Sequence, residues 1–253
     1  MNNSYKPLSV TLEKFHTMPE AYKNHCVRIM SMTAFSENLG GEGLSLWIKK
    51  APDNRRRKLV ARLSFDELDH GARIYKVLNE LGISEDQAND IATGKMLGNS
   101  IHDSLSPAEM MYGKVGNDWV DLALHCVLMD TAGGYIVNNF TDSSYEPWAL
   151  ASRTIVDDEV HHKNFGFKEL ERCIEEGVSE ESLQKQFTYW FANALNFFGP
   201  PAGKTAQTLK KYGIKRKDND ELRAEFRAEI EDYMESIEYL HIVKLNKDSY
   251  PYE

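Results

Sequence analysis

The sequence predicts an all-α fold, with a core of four long helices and further helix toward the C-terminus. Two observations carry this. Helix-period runs of apolar residues fill most of the 253 residues, punctuated sparsely by Gly and Pro. Strand-type alternation is essentially missing.

The elements are taken in chain order. Pro19 opens a helix running to about Ala51-Pro52. The run "RRRKLVARLSFDELDHGARIYKVLNELG" forms a second, stopped by Gly82, with Ser84 capping the next segment. Residues 84–106 read as one or two short helices and a loop, and Pro107 opens a turn. "DWVDLALHCVLMDTAGGYIVNNF" is a third long helix. A fourth runs from Pro147 to Gly177, and a fifth, "SEESLQKQFTYWFANALNFFG", ends at Gly199-Pro200-Pro201. "KRKDNDELRAEFRAEIEDYMESIEYL" adds charged helix near the end. No linker or low-complexity tract splits the chain. The expectation is one domain over 1–253, with its core at about 20–200 and a helical extension over 201–253.

Composition narrows the function. The net charge of −9 disfavours nucleic acid and anionic membrane as partners. No secretory segment opens the chain, and no uninterrupted apolar run approaches ~18 residues. A cytoplasmic location is the default expectation. Cys26, Cys126 and Cys173 are scattered, without a CxxC pair, so a disulfide framework, a zinc ribbon and a four-thiolate iron–sulfur cluster are not expected. GxGxxG and P-loop patterns are missing; "GPPAGKTAQT" lacks the first Gly at the right spacing. Redox chemistry here would draw its electrons from another protein.

The informative feature is a repeat. "DELDH" at 66–70 and "DEVHH" at 158–162 each place a Glu and a His three positions apart, on one face of a helix. A carboxylate lies upstream of each: Glu37, 30 positions before Glu67, and Asp130, 29 before Glu159. Each gap lets a helix finish, turn and return to the same height. Each acid also has Gly at +3 and +4, namely Gly40-Gly41 and Gly133-Gly134. Four helical glycines cost on the order of 4 kcal/mol. Close helix approach or an open pocket would offset that; for "GGEG" at 40–43 a helix end is a third reading. One ExxH is common by chance; two copies with matched upstream acids are not. Aligning them selects Glu159 and His162 over Asp158 and His161. His161 then points elsewhere, as an outer partner, an exposed side chain or a satisfied interior histidine.

Four carboxylates and two histidines make an oxygen-rich donor set suited to two iron ions, or manganese, rather than structural zinc. The metal ligands expected are Glu37, Glu67, His70, Asp130, Glu159 and His162. Glu37, Asp130 and Gly134 are the expected catalytic positions, beside the metals and the space for dioxygen and substrate. Asp66 and Asp158 are expected to orient ligand histidines from behind. His125, four after Asp121, and the "YWFANALNFF" run are read as core or interface packing.

At these residues the chain resembles the ferritin-like di-iron carboxylate proteins. More narrowly it is similar to the phenylacetate-catabolic family, the catalytic subunits of phenylacetyl-CoA and benzoyl-CoA epoxidases, over residues 20–200. Asp on the third helix matches those epoxidases. The Asp-Glu-x-x-His repeat is also similar to that of soluble methane monooxygenase and the ribonucleotide reductase small subunit, which carry Arg just before the His where Asp69 and His161 stand here. The resemblance implies a ferritin-like four-helix bundle and a di-iron monooxygenase. It implies activation of dioxygen and oxygen insertion into an aromatic or otherwise activated small molecule, acyl-CoA esters among the candidates. It further implies a separate reductase and a homo- or hetero-oligomer. A ligand-poor scaffold subunit, and an iron-storage or rubrerythrin-like protein, are the competing readings.

Overall fold

A computed structural model describes residues 9–96, 118–200 and 203–236. Among them every regular element is helical. The single β-type contact is an isolated bridge between Val10 and Tyr145. The chain divides into two compact units, the first within Met1–Lys114, Phe140–Ile155 and Leu209–Arg216, the second within Val115–Asn139, Val156–Thr208 and Lys217–Glu253.

The first unit is built on a long helical pair. After the short α1 (Leu12–Phe15), α2 spans Glu20–Trp47 and α3 spans Asn54–Glu80. Gly40 and Gly41 lie inside α2, which continues past them to Trp47, so the helix-end reading of "GGEG" does not hold. The Asp53 carboxylate caps α3 by accepting from the Arg56 N–H at 2.8 Å. Gly82, at φ 79°, ends the helix in a conformation that side chains rarely adopt. Ser84 and Gln87 then form a reciprocal capping box at the start of α4, Glu85–Met96. Buried Tyr22, Cys26, Met30, Trp47, Val60, Ile74 and Leu78 supply much of this unit's core. The turn expected at Pro107, with the loop before it, lies outside the described residues.

The third long helix of the chain, which lies in the second unit, is not uniform. It runs as α5 (Trp119–His125), a π-helical turn (Cys126–Asp130) and α6 (Thr131–Asn138). A π turn leaves a carbonyl without its usual partner. Here the Thr131 hydroxyl donates to the Val127 carbonyl at 2.5 Å. Trp119–Asn138 is long and apolar enough to span a membrane by length and composition, with mean hydropathy 1.3. Yet 72% of its most apolar window is buried inside the protein, as in a core helix.

The long α7 (Glu146–Glu175) gives its first residues to the first unit and the rest to the second. α8 (Glu180–Phe197) comes next, capped by Ser179, whose hydroxyl accepts from the Ser182 N–H. An eight-residue α9 (Lys204–Lys211), not expected from sequence, precedes α10 (Asn219–Ser236). α5, the π turn, α6, α7, α8 and α10 bury a continuous core that includes Val127, Leu128, Leu170, Phe187, Phe191, Phe226 and Ile230.

Candidate metal centre and its pocket

The first unit brings three of the expected ligands together. Glu37 comes from the middle of α2, Glu67 and His70 from one face of α3. One donor atom from each lies within 4.8 Å of the others. His70 Nδ1 is 3.3 Å from Glu37 Oε2. His70 is fully buried and both carboxylates are 8% exposed. Two carboxylates gathered at that depth repel unless protons or a cation sit among them. The donor set therefore fits a hard metal ion.

Glycine makes this gathering feasible. A Cβ built at Gly40 would lie 2.9 Å from Glu67 Oε2. At Gly41 it would lie 2.6 Å from Leu68 Cγ and 2.9 Å from the Ser64 carbonyl. The Ser64 hydroxyl donates to the Gly41 carbonyl at 2.7 Å, locking the crossing.

In the second unit, Asp130 closes the π turn, while Glu159 and His162 stand one helical turn apart on α7. Asp130 is 9% exposed, Glu159 6% and His162 fully buried. Asp158 is half-buried and His161 is exposed, so burial follows the register chosen from the repeat. Asp130 and Glu159 line a common pocket of about 160 Å³, together with Thr131, Gly134, Tyr135 and Val160. Cβ atoms at Gly133 and Gly134 would meet only Glu159, at 3.9 and 3.6 Å, which is ordinary contact. Here the glycines leave space instead of closing it.

Two features escaped the sequence reading, Glu229 and Gly166, and a third, His125, is buried as its reading as core packing expected. Glu229, on α10, lines the pocket and accepts hydrogen bonds from Tyr135 Oη and Lys163 Nζ, both at 2.7 Å. A charged C-terminal helix carries no sign that one of its acids faces a pocket. His125 lies with its Nε2 3.7 Å from Asp130 Oδ1 and its ring edge-on to Trp190 at 4.8 Å. Burial pushes its imidazole down to about 3, so it stays neutral. Trp190 in turn donates to the buried Asp121 at 2.6 Å. The Asp121/His125 spacing was the available signal. Last, Gly166 on α7 meets the π turn so closely that a Cβ would stand 2.6 Å from the Val127 amide nitrogen.

Asp66 forms an ion pair with Arg62 on its own helix at 2.8 Å, and Asp69 pairs with Arg73 at 2.5 Å.

An all-α fold of the ferritin-like class, carrying buried Glu–His pairs one helical turn apart, is the type of protein that these observations define. The model of the family described as Phenylacetic acid catabolic protein matches residues 1–241, and the chain belongs to that family. It is 28% identical over 221 residues to one of the subunits of the 1,2-phenylacetyl-CoA epoxidase of Escherichia coli (strain K12). That match covers 83% of this chain and 66% of the relative, just under two thirds of the relative's length.

Proposed function

We propose that the chain is the oxygen-activating component of a di-iron monooxygenase. Glu37, Glu67, His70, Asp130, Glu159 and His162 are the residues that would hold two iron ions, manganese being the alternative. Bound there, the metals supply activation of dioxygen and delivery of one oxygen atom to an aromatic or otherwise activated substrate. The residues supply the rest. The carboxylates hold the cations and the buried histidines fix their side of the site. Gly134 keeps the adjoining space open. Asp66 and Asp158 are proposed to orient the ligand set.

The pocket carries this reading. It reaches Asp130 and Glu159, and its volume of about 160 Å³ is close to the ~150 Å³ cavity known to admit benzene. A protein that only stores iron has no use for a ring-sized space at its ligands. The relative's name supplies the first substrates to try: CoA thioesters of small aromatic acids, beside the free acids. That the relative is one subunit of its enzyme supports a multi-component assembly. Three scattered cysteines and the lack of nucleotide motifs support a separate reductase. A non-catalytic scaffold role is the weaker reading, since all six ligand residues are retained.

The test is iron stoichiometry with an optical spectrum. The wild-type chain should bind two irons and show the near-ultraviolet absorption of a coupled ferric pair. Glu67→Ala and Glu159→Ala should each lose stoichiometric iron while far-UV circular dichroism stays helical. Two irons in both variants would refute the ligand assignment. Turnover by the purified chain with NADPH and dioxygen alone would refute the need for a reductase.

A further inference from the structure

The pocket beside Asp130 and Glu159 has polar lining that the proposed metal ligands do not account for. Tyr135 on α6, Lys163 on α7 and Glu229 on α10 meet in its wall. Their hydrogen bonds divide Glu229 between two donors. Tyr135 Oη donates to Oε2 and Lys163 Nζ to Oε1, each at 2.7 Å. Burial, and then the carboxylate accepting from its hydroxyl, raise the Tyr135 phenol above its ordinary range. The proton therefore stays on Tyr135, and Glu229 is the acceptor.

The packing of α10 brings Glu229 to this place. Phe226, one turn earlier, is fully buried in the core. Tyr233, one turn later, has its ring 3.9 Å from that of Phe167 on α7. Residues three and four apart share a helix face, so Glu229 lies on the packed side of α10. Stability is a poor reason for an acid there. The Lys163 and Glu229 side chains are 26% and 32% exposed, and ion pairs open to water contribute little. A carboxylate offers about four acceptor positions, and Tyr135 and Lys163 use one on each oxygen. Glu229 can thus take a further donor from the pocket it lines. Lys163 already meets its charge, so the donor need not be a cation. A second carboxylate beside it would be repelled.

We propose that Glu229 is a specificity-determining residue, accepting a hydrogen bond from a hydroxyl or amino group on a neutral aromatic ring held in this pocket. Tyr135 and Lys163 are positioning residues that fix its carboxylate from two sides. The volume of about 160 Å³ suits one ring with a small substituent. A site built around a buried acceptor discriminates strongly against the analogue that lacks the donor. This inference rests on the oxygenase reading only in calling the ring a substrate; the binding itself is tested without turnover.

Isothermal titration of the full chain with phenol, fluorobenzene and benzoate decides it. Phenol should bind at least about tenfold more tightly than fluorobenzene, a ring of similar size without a donor, as a hydrogen bond to a charged group implies. Benzoate should bind more weakly than phenol. Glu229→Leu should erase the preference for phenol while leaving fluorobenzene binding as it was. Glu229→Gln keeps the size and an acceptor for Tyr135, so it should retain part of the preference, and it serves if the leucine variant folds poorly. Iron stoichiometry should match the wild type in both variants, because Glu229 is not among the proposed ligands. The iron count also separates the two readings. A wild-type chain that binds no iron would remove the oxygenase reading, while the phenol titration would still decide this one. Equal binding of phenol and fluorobenzene to the wild type would overturn the proposal. So would a phenol preference that survives Glu229→Leu, which would put the phenol on the metals instead. Benzoate binding more tightly than phenol would overturn it as well, by giving the wall to Lys163.

Discussion

The two copies of the acid-x-x-Gly-Gly pattern do different physical work. On α2, Gly40 and Gly41 let α3 approach until Leu68, the Ser64 carbonyl and Glu67 fill the space where side chains would stand. On α6, Gly133 and Gly134 face Glu159 at ordinary contact distance and border a pocket. The second unit has its own close crossing, but the glycine responsible is Gly166 on α7, packed on the π turn. The same short pattern thus offsets the cost of a helical glycine in two ways, by contact in one copy and by volume in the other. A glycine has no side chain to announce which, so the neighbours decide.

Substitutions can break this contrast. Gly166→Ala should cost most, about 3 kcal/mol, because its methyl meets backbone atoms of Cys126 and Val127 that cannot rotate away. Chemical denaturation should show the loss, with iron binding falling alongside. Gly41→Ala should cost about 1–2 kcal/mol. There the clash is partly with Leu68, which can turn, and better helix propensity offsets part of the strain. If Gly41→Ala were as stable as wild type, the packing account of the first copy would fail.

An alkaline titration sharpens the contrast by chemistry. Burial raises the Cys26 thiol to about 12, and burial raises the Tyr75 phenol to about 12. Both belong to the first unit. Unfolding exposes them at their ordinary values, so the unfolded chain loses protons first. Stability should hold below about pH 8.5, the usual thiol range, and fall as pH climbs toward 12. Cys26→Ala should flatten the early part of that fall in a denaturation series. An unchanged slope would show that the thiol plays no part.

The smallest effect on stability is expected at Gly134. Gly134→Val should change unfolding free energy by less than about 1 kcal/mol, since the added carbons enter the pocket. Iron should be retained while substrate oxidation is lost or redirected. Joint loss of iron and stability would move the second copy to the packing explanation.

Much of the fold was legible because its signals are local. Asp53, Ser84 and Ser179 start helices and Gly82 and Gly177 stop them, each by a hydrogen bond or dihedral settled within a few residues. The ligand candidates were legible because a repeat is unlikely to arise twice by accident, and burial falls on Glu159 and His162 rather than on their neighbours. The π turn was not, since its residues are ordinary helix formers and its packing partner, Gly166, lies 36 positions beyond Asp130. Glu229 was hidden for a similar reason. "ELRAEFRAEIEDYMES" shows charge on several faces, and only tertiary contact singles out the acid that receives Tyr135 and Lys163. α9 escaped because eight residues after Pro-Pro-Ala-Gly give too short a period to read.

The π turn also changes what counts as an insertion. One extra residue in a regular helix would swing everything after it by about 100°. A π turn takes up such a surplus locally, and here it is confined to Cys126–Asp130, between α5 and α6. Chain length within that span is therefore adjustable without reorienting either flank. A deletion of Leu128 should leave both flanks seated and shift only the local wall that delivers Asp130 to the pocket. Lengthening or shortening α2 by one residue near Glu37 has no such buffer and should turn the carboxylate away from Glu67 and His70.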